Sequence, residues 1–561
     1  MFTSFSQRTD QPARSGNQQA LRTSQTIPHV RLLVTPLLVS VLLILTAPLP
    51  VSGAPATTLN PIQAENQLPG STGWQFDNFN KETAHEIEGY ASLTSVNQGG
   101  QINFMVSLSS NAQFTMAIYR MGYYFHGTNP DGTACGPCGG RLMLSVGPLN
   151  GAARAACPTT TSGPNFGMIE CQWAPSFSLT VPTSWTTGNY LVKLRRLDDG
   201  LENYITFVVR NDTGPADIVY SADVTTWQAY NYWGGAGNGN LGYNLYGEFN
   251  DVTQGFIGNT RAYTVSFDRP YMDQGSEDGA GNFMVWDYPM IRWLEARGYN
   301  VTYVTDVDLE TTPRLMSGRK LFMNTGHDEY YSDNMRALLQ NALNAGINLA
   351  FFSADNIGYR MVWANSIAGQ PDRRQVCDKG GLPGSTAIAW RWLTPPQPEN
   401  ALLGVMQNGV ANSRPWLVYD ATSWIYAGTG LVNYHGKVIT HGWGQNALAG
   451  LVGYEFDERA ANAPDLAAYV SYEPAGLHQV AHSLVPAADN GVKAWSDATL
   501  YTAASGAMVF AAGTIQWSFG VDNGFNDGFC DCVHRFANPK AQQITANILN
   551  RFISGPAHAM P

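Results

Sequence analysis

The sequence predicts a multi-domain fold: an immunoglobulin-like β-sandwich, followed by an α/β domain with a largely parallel, doubly wound sheet. With 561 residues, the chain is too long for one ordinary hydrophobic core. Short strands separated by turn residues fill residues 76–211, which is typical of a β-sandwich. Strands alternate with helices from residue 216 onward, which is typical of a parallel sheet. We therefore place the second domain at residues 216–556.

The first 53 residues predict a secretion signal. Arginines precede an apolar run at residues 32–49, and small residues follow it near Ala54. A permanent membrane anchor is the alternative, because about 18 apolar residues can cross a bilayer. Pro36 inside the run and the small residues behind it favour cleavage. We predict a secreted or extracytoplasmic protein that is membrane-bound only if the leader is retained, and a linker at residues 54–75.

The composition argues against nucleic-acid binding. The formal net charge is −11, and charged residues make up only 13% of the chain. The leader is itself basic, so its removal leaves a more acidic protein. Proteins that bind nucleic acids need a basic surface, and we therefore predict no nucleic-acid partner.

The cysteines predict disulfide bonds. Four of them are expected to form two disulfides in any of the three possible pairings: Cys135, Cys138, Cys157 and Cys171. A zinc site is the alternative, but these four contain only one Cys-x-x-Cys pair. Cys377 is predicted to pair with Cys530 or Cys532, which leaves one thiol over.

Each domain has its own series of predicted elements. In the first domain, the alternation of apolar and polar residues predicts strands at 101–108, 114–120, 176–181, 190–194 and 204–209. In the second domain, we predict strands at 217–221, 301–305, 320–325, 347–352, 507–512 and 514–518. Helical spacing of apolar residues predicts helices at 287–297, 333–345 and 541–552.

The segment from residue 320 to 360 contains the candidate site. It predicts a strand, a helix capped by Ser332 or Asp333, and a second strand. The two strands of such a unit are parallel. Their carboxyl ends therefore share one edge of the sheet, where open α/β sheets bind ligands. Polar side chains follow both strands and are expected to converge: His327, Asp328, Glu329, Tyr330, Asp355, Asn356 and Tyr359.

The residue types at this edge favour a hard metal ion. The sequence shows no Gly-x-Ser-x-Gly elbow, no His-Glu-x-x-His motif and no cysteine at a strand end. Oxygen ligands suit hard cations, and a phenol loses its proton near neutral pH only beside a strong Lewis acid. Ferric iron suits such a set better than zinc, magnesium or calcium. The alternative is a group of tyrosines that pack or form hydrogen bonds without a metal.

Several short stretches, in order along the chain, resemble a known enzyme family. They are 227–231 (Trp-Gln-Ala-Tyr-Asn), 266–271 (Ser-Phe-Asp-Arg-Pro-Tyr), 326–330 (Gly-His-Asp-Glu-Tyr), 356–359, 428–430 (Gly-Thr-Gly), 450–455 (Gly-Leu-Val-Gly-Tyr-Glu) and 513–517 (Gly-Thr-Ile-Gln-Trp). Together they make the region from 217 to 552 similar to the large, catalytic subunit of the N,N-dimethylformamidase family and its secreted relatives.

The resemblance implies a glutamine-amidotransferase-like, flavodoxin-like core that holds one Fe³⁺ ion through two tyrosines and one glutamate. Carried onto this sequence, these ligands are Tyr330, Tyr359 and Glu455. The strand-end argument brings the two tyrosines together independently. Glu455 rests on the resemblance alone.

The implied activity gives the other polar residues expected roles. Iron would polarise an amide carbonyl or lower the pKa of bound water. The candidates for moving a proton to the leaving amine are His327, Asp328 and Glu329. The candidates for substrate binding are Tyr230, Asn231, Asp268, Arg269 and Asn356. For Asp268 and Arg269, a mutual ion pair that shapes the pocket is the alternative.

The sequence thus predicts an exported hydrolase of C–N bonds in small, amide-like molecules. The alternative is a secreted, non-catalytic binding protein for glycans or surfaces. The 15 tryptophans and 26 tyrosines are compatible with stacking on sugars. The sequence makes no prediction of the substrate, of a small subunit or of the oligomeric state.

Overall fold

The computed structural model describes residues 58–76, 81–253, 255–272, 279–438, 444–486, 493–523, 537–556 and 558. The predicted leader at residues 1–53 lies outside them, as do Cys530 and Cys532. Residues 58–561 form one compact unit. Within the described residues, no helix combines the length and apolar character that crossing a membrane would require.

The first part of the chain is built from strands. They are β1 (Gly70–Ser71), β2 (Ile87–Ala91), β3 (Ser95–Asn97), β4 (Gln101–Leu108), β5 (Ala112–Met121), β6 (Gly127–Thr128), β7 (Ala134–Cys135), β8 (Gly140–Gly151), β9 (Phe177–Thr180), β10 (Gly188–Arg196) and β11 (Glu202–Arg210). The five strands predicted from the sequence are all present, with small shifts at their ends. A short helix, α1 (Pro61–Asn66), precedes them.

These strands form two sheets around one apolar core. The larger sheet has the order β3-β11-β10-β5-β8-β1-β6-β7, and the smaller has the order β2-β4-β9. Inward-facing side chains of both sheets, among them Phe104, Ile118 and Phe207, form a buried cluster. Within the predicted linker, α1 forms a helical turn that buries Ile62 completely.

The rest of the chain supplies a second set of strands. They are β12 (Ile218–Ala222), β13 (Leu241–Tyr243), β14 (Glu248–Asn250), β15 (Gly255–Gly258), β16 (Thr264–Ser266), β17 (Val301–Thr305), β18 (Leu321–His327), β19 (Tyr330–Tyr331), β20 (Asn348–Ala354), β21 (Tyr359–Arg360), β22 (Val362–Ala364), β23 (Arg374–Val376), β24 (Met406–Leu417), β25 (Ala447–Glu458), β26 (His478–Pro486), β27 (Lys493–Thr502) and β28 (Met508–Ala511).

Helices are short and lie between these strands. The α-helices are α2 (Val224–Tyr230), α3 (Tyr288–Ala296), α4 (Asp306–Thr311), α5 (Asp333–Asn344), α6 (Asn400–Leu403) and α7 (Pro539–Ile553). A π-helical turn, Phe283–Asp287, leads into α3. Short 3₁₀ helices occur at Gly163–Asn165, Ala236–Asn238, Pro313–Met316, Trp390–Trp392, Trp424–Tyr426, Pro464–Tyr472 and Trp517–Gly520.

A mixed seven-stranded sheet lies at the centre of the second region, in the order β17-β12-β18-β20-β28-β27-β26. The first five strands run parallel to one another. β27 pairs antiparallel with β28 and with β26. Every residue of β18 is buried, as expected for a central parallel strand. The carboxyl ends of β17, β12, β18 and β20 therefore lie at one edge.

The predicted strand-helix-strand unit is confirmed in β18, α5 and β20. The Ser332 side chain accepts a hydrogen bond from the main-chain nitrogen of Met335 and caps α5. Gly346, with φ +98°, ends the turn after the helix. Leu339 and Leu343 pack the helix onto the sheet. The register of β18 on β20 runs from Leu321–Asn348 to His327–Ala354.

The predicted fold class is wrong. Of the described residues, 36% are in strands and 20% in helices. The strands belong to several sheets and the central sheet is mixed, so the second region is not a flavodoxin-like α/β domain. β24 and β25 form a long antiparallel hairpin, and β26 and β27 also pair antiparallel. In a doubly wound fold, helices would connect parallel strands in this part of the chain. In the first region, β3 and β6 join the larger sheet as parallel neighbours.

Two smaller predictions also need correction. The predicted strand at 514–518 is absent from the described structure, because the Thr514 hydroxyl bonds the carbonyls of Leu451 and Gly453 and a 3₁₀ turn follows. Cys377 is a buried free thiol rather than half of a disulfide. The four cysteines of the first region form the bonds Cys135–Cys138 and Cys157–Cys171, which resolves the open pairing and removes the zinc alternative.

Candidate functional site

The two tyrosines predicted at the sheet edge meet directly. β19 and β21 pair in parallel, with Tyr330 opposite Tyr359. Their rings stack with centroids 5.7 Å apart and planes 17° apart. The turn out of β18 makes this possible: Gly326 has φ +70°, and a Cβ there would lie 2.7 Å from Cβ of Trp286, so a glycine is required.

Two further tyrosines complete what we call the tyrosine cluster, Tyr230, Tyr246, Tyr330 and Tyr359. The rings of Tyr230 and Tyr246 stack with centroids 4.4 Å apart. The Tyr330 hydroxyl donates to the Tyr246 hydroxyl at 2.7 Å, and the Tyr246 hydroxyl donates to Oε2 of Glu329. A continuous hydrogen-bond chain therefore joins one predicted ligand to a carboxylate.

Lys379 supplies a positive charge to this cluster. Its ammonium lies 3.5 Å from the ring centroid of Tyr246 and 4.3 Å from that of Tyr359. Such distances give an attractive cation–π contact. The ammonium is also 4.0 Å from Oε1 of Glu329. Burial lowers the pKa of Lys379, and the Glu329 carboxylate opposes this shift.

Glu455, on β25, joins the cluster through Tyr230, whose hydroxyl lies 3.5 Å from Oε1 of Glu455. The other oxygen, Oε2, is buried and finds no hydrogen-bond partner among the described residues. Burial, reinforced by the Glu329 carboxylate, raises the pKa of Glu455 to about 8. A buried carboxylate oxygen without a donor carries a large desolvation cost.

His327 lies between two aromatic rings at the end of β18. Its ring is edge-on to Tyr230, with centroids 5.2 Å apart, and to Trp286, with centroids 6.1 Å apart. Nδ1 is buried and without a hydrogen-bond partner in the described part of the chain. Burial lowers the pKa of His327 to about 4, so the imidazole is neutral at neutral pH.

The next polar residues along the edge are held by one another. Oδ2 of Asp328 accepts hydrogen bonds from the Tyr331 hydroxyl at 2.6 Å and from the Asn324 amide at 3.1 Å. Asn356 accepts from the same Asn324 amide at 3.0 Å and from Ser353 at 3.1 Å. The oxygen of Asn356, a predicted substrate ligand, is thus already engaged inside the protein.

Three other predicted substrate ligands lie in the scaffold. Asn231 accepts from two main-chain nitrogens, and its amide donates to the carbonyl of Pro270 at 2.9 Å. The guanidinium of Arg269 donates to three main-chain carbonyls. The predicted ion pair between Asp268 and Arg269 is wrong, because Asp268 pairs with Arg373 at 2.8 Å.

Unusual backbone conformations concentrate at the same edge. Asp355, Ile357 and Lys379 have φ values of 49°, 57° and 51°, in the left-handed region that residues with a Cβ seldom adopt. For a β-branched isoleucine this is a true outlier. Such strain persists where surrounding contacts enforce it, and it is frequent at functional sites.

The residues present fit a hard trivalent cation. Two phenols lie together, and a buried glutamate next to the cluster has an oxygen without a partner. Burial raises the pKa of both Tyr330 and Tyr359, and Glu329 reinforces the shift. These phenols therefore stay protonated until a strong Lewis acid binds them. The donor set of phenols and carboxylate suits ferric iron.

Sequence reasoning missed two members of this site. Tyr246 lies in the turn between β13 and β14, and Lys379 follows β23, which belongs to another sheet. Neither position has a periodicity or a motif that points to the sheet edge. Only the fold brings them beside Tyr330.

The comparison with known proteins identifies the family. Residues 115–527 match the family described as N,N-dimethylformamidase beta subunit-like, C-terminal. The chain belongs to this family. The match begins inside β5, well before the domain boundary predicted near residue 211, and so includes most of the first β region.

One curated relative is the N,N-dimethylformamidase beta subunit of Alcaligenes sp. The two sequences are 26% identical over 186 residues, which cover 29% of this chain and 24% of the relative. The match thus spans about a quarter of that relative. Among solved structures, the Pseudomonas fluorescens alkylpurine DNA glycosylase AlkC bound to DNA is 13% identical, over 22% of this chain and 30% of that one, with a TM-score of 0.12. At that score the likeness carries no argument.

Proposed function

We propose that this protein hydrolyses the C–N bond of small amides at the tyrosine cluster, with a single ferric ion held by Tyr330, Tyr359 and Glu455. The observation that carries the proposal is the stacked pair of Tyr330 and Tyr359, joined through Tyr230 to a buried glutamate whose Oε2 lacks a partner. Membership of the dimethylformamidase-like family supports amide hydrolysis. The proposal includes export through the N-terminal leader.

A ferric ion, when bound, supplies Lewis acidity that polarises an amide carbonyl and lowers the pKa of water. The protein supplies the surroundings. The partly buried rings of Tyr230, Tyr246 and Tyr359 line the site, and electrostatic interactions are stronger there than in bulk water. The Lys379 ammonium offsets the charge of Glu329.

Proton movement is assigned to groups that the structure leaves available. His327 is neutral, and its Nδ1 forms no hydrogen bond with the described residues. It can therefore take a proton from the water that attacks the carbonyl and pass that proton to the departing nitrogen. Glu329 is already committed to the Tyr246 hydroxyl, so we assign it to positioning the hydrogen-bond chain rather than to proton transfer.

The substrate class follows from the surroundings. Aromatic rings and few free polar atoms suit a small, uncharged molecule with a single carbonyl. Tyr230 is the predicted substrate ligand that remains at the cluster, where its hydroxyl lies against Glu455. Asn231, Arg269 and Asn356 support the loops around it.

Metal content and colour test the proposal directly. The purified protein is expected to contain one iron per chain and to show a visible phenolate-to-iron absorption band. Tyr330→Phe and Tyr359→Phe should each reduce iron content and shift or remove the band. Tyr303→Phe is the control, since Tyr303 is as buried as Tyr330 but donates to Glu295. Unchanged iron in both cluster variants would end the ligand assignment.

Activity is tested on a panel of small N-substituted amides, followed by release of ammonia or amine. A ferric chelator should abolish turnover, and added iron should restore it. Turnover that survives complete removal of iron would contradict the metal part of the proposal. Failure to cleave any amide, with iron bound, would contradict the hydrolase part.

A further inference from the structure

Three buried aspartates lie together at the ends of neighbouring strands, next to the tyrosine cluster. Asp306 follows β17, Asp223 follows β12 and Asp328 follows β18. One carboxylate oxygen from each lies within 4.8 Å of the other two. The three residues are at most 2% exposed. We call this group the aspartate cluster.

Neutral donors hold one side of two of these carboxylates. Oδ2 of Asp306 accepts from the main-chain nitrogen and the hydroxyl of Thr225, at 3.1 and 2.7 Å. Oδ2 of Asp328 accepts from the Tyr331 hydroxyl. This is how proteins orient metal-binding carboxylates, with one oxygen fixed and the other turned to the ion.

Oδ1 of Asp306 accepts from the Ser221 hydroxyl at 3.3 Å, but two other oxygens of the cluster have no donor. Oδ1 of Asp328 and Oδ1 of Asp223 are fully buried, and neither has a hydrogen-bond partner in the described residues. Oδ2 of the adjoining Asp287 is in the same situation. Buried carboxylate oxygens are almost always satisfied, so several unsatisfied ones side by side indicate a missing positive partner.

Among the described residues, the strongest influences on Asp223, Asp306 and Asp328 are burial, neighbouring carboxylates and neutral hydrogen-bond donors, with no basic group among them. Burial, with the neighbouring carboxylates, raises the pKa of both Asp223 and Asp306 well above the usual range. Charges of one sign in a buried site are costly unless a cation balances them.

We propose that Asp223, Asp306 and Asp328 bind a calcium ion. The donors are hard oxygen atoms from three carboxylates that lie within 4.8 Å of one another, and Ca²⁺ accepts several carboxylate ligands in a flexible geometry. Magnesium demands about 2.0–2.1 Å and a regular octahedron. The cluster contains no phenol, so it is chemically unlike the iron site proposed above.

The position of this ion gives it a structural role. It links the ends of three parallel strands. The Thr225 hydroxyl that bonds Asp306 also lies 3.2 Å from the carbonyl of Tyr330, so the calcium site is coupled to the segment that carries one proposed iron ligand. Calcium is therefore expected to stabilise the chain and to position the iron site, without contacting substrate.

Elemental analysis and thermal unfolding of the full-length protein test the assignment. One calcium per chain is expected after extensive dialysis. Removal with a chelator during mild heating should lower the unfolding temperature by several degrees, and CaCl₂ should restore it where equal MgCl₂ does not. Asp223→Asn should lose nearly all calcium, whereas Tyr330→Phe should lose iron and keep calcium.

Asp497→Asn is the matched control. Asp497 is also fully buried, but both its oxygens accept hydrogen bonds, and this variant should keep its calcium. Wild-type protein that holds no divalent cation, with an unfolding temperature indifferent to calcium, would overturn the proposal in favour of a protonated cluster, even where Asp223→Asn does not fold. Magnesium or manganese held at one equivalent would overturn the choice of calcium. Loss of iron alone bears on the proposed function and not on this site.

Discussion

Two regions of this protein bury charged groups in opposite ways. Where β5 of the first region meets α3, Arg120 and Glu295 form a completely buried ion pair, 2.7 Å apart. Glu295 also accepts hydrogen bonds from Tyr303 at 3.0 Å and from Asn66 at 2.8 Å. Each charge at this junction is thus matched, and the junction needs no ligand.

The edge of the central sheet shows the reverse. Oε2 of Glu455, Nδ1 of His327 and Oδ1 of Asp223 are buried and lack hydrogen-bond partners among the described residues. The groups named in both regions are buried, so burial alone does not distinguish them. We conclude that buried charges with partners stabilise the fold, whereas buried polar atoms without partners indicate where a ligand is expected.

The largest effect on stability is expected from breaking the buried ion pair between Arg120 and Glu295. Glu295→Gln keeps the side-chain volume but leaves the Arg120 guanidinium buried without a counter-charge. The free energy of unfolding should fall by about 3–5 kcal/mol, measured by chemical denaturation. Arg195→Ala is the control, because Arg195 is 44% exposed in its pair with Glu202 and should cost less than about 1 kcal/mol. Similar losses in the two variants would mean that burial does not strengthen the junction.

Two buried histidines, one with and one without charged partners, should make stability depend on pH in opposite ways. His85 lies 2.7 Å from Glu88 and 3.4 Å from Asp251, and these partners outweigh burial and raise its pKa to about 11. The stability that His85 provides is therefore complete below pH 6.5 and declines as the pH rises toward 11. His327 has no such partner, and burial lowers its pKa to about 4.

For His327 the pH dependence of stability has the opposite sign. Between pH 6.5 and 4 the unfolded chain takes up a proton that the folded chain refuses, so stability is lost as the pH falls. The loss should total about 3 kcal/mol. It is read as the difference between wild type and His327→Gln at pH 7 and pH 4, since other groups titrate in both proteins. A difference that does not change with pH would show that His327 is charged or well hydrated in the folded protein.

A smaller effect is expected from one hydroxyl of the tyrosine cluster. Tyr246→Phe leaves the Tyr330 hydroxyl without its acceptor and removes the hydrogen bond that Tyr246 donates to Glu329. The free energy of unfolding should fall by about 1–3 kcal/mol. Tyr243→Phe is the control, because its hydroxyl contacts Glu248 at 3.2 Å in a half-buried position. Equal costs would mean that the chain from Tyr330 to Glu329 is not formed in solution.

The same comparison shows what could be predicted from the sequence. The pairing of Tyr330 with Tyr359 follows from local rules, since a capped helix between two buried strands fixes both their direction and their shared edge. The same rule could have predicted the aspartate cluster, because Asp223, Asp306 and Asp328 each directly follow a strand. We did not make that prediction from the sequence.

Other features depend on contacts that no local pattern encodes. Asp268 and Arg269 are adjacent in sequence, yet one reaches Arg373 and the other main-chain carbonyls, because neighbouring side chains on an extended segment point apart. The fold class failed for a similar reason: strand-helix alternation holds from 301 to 354, but the hairpin of β24 and β25 follows long-range pairing.

The smallest effect on activity is expected at Asp268, which was predicted to bind substrate but lies away from the tyrosine cluster. Asp268→Asn should change kcat/KM for small amides by less than about twofold, because Asp268 pairs with Arg373 and has no contact with the tyrosine cluster among the described residues. Tyr230→Phe, its counterpart at the site, removes the hydroxyl that lies against Glu455 and should lower kcat/KM about tenfold or more. Equal losses of kcat/KM in both variants would make Asp268 a candidate substrate ligand again. They would also contradict the inference that a buried charge with a partner only stabilises the fold.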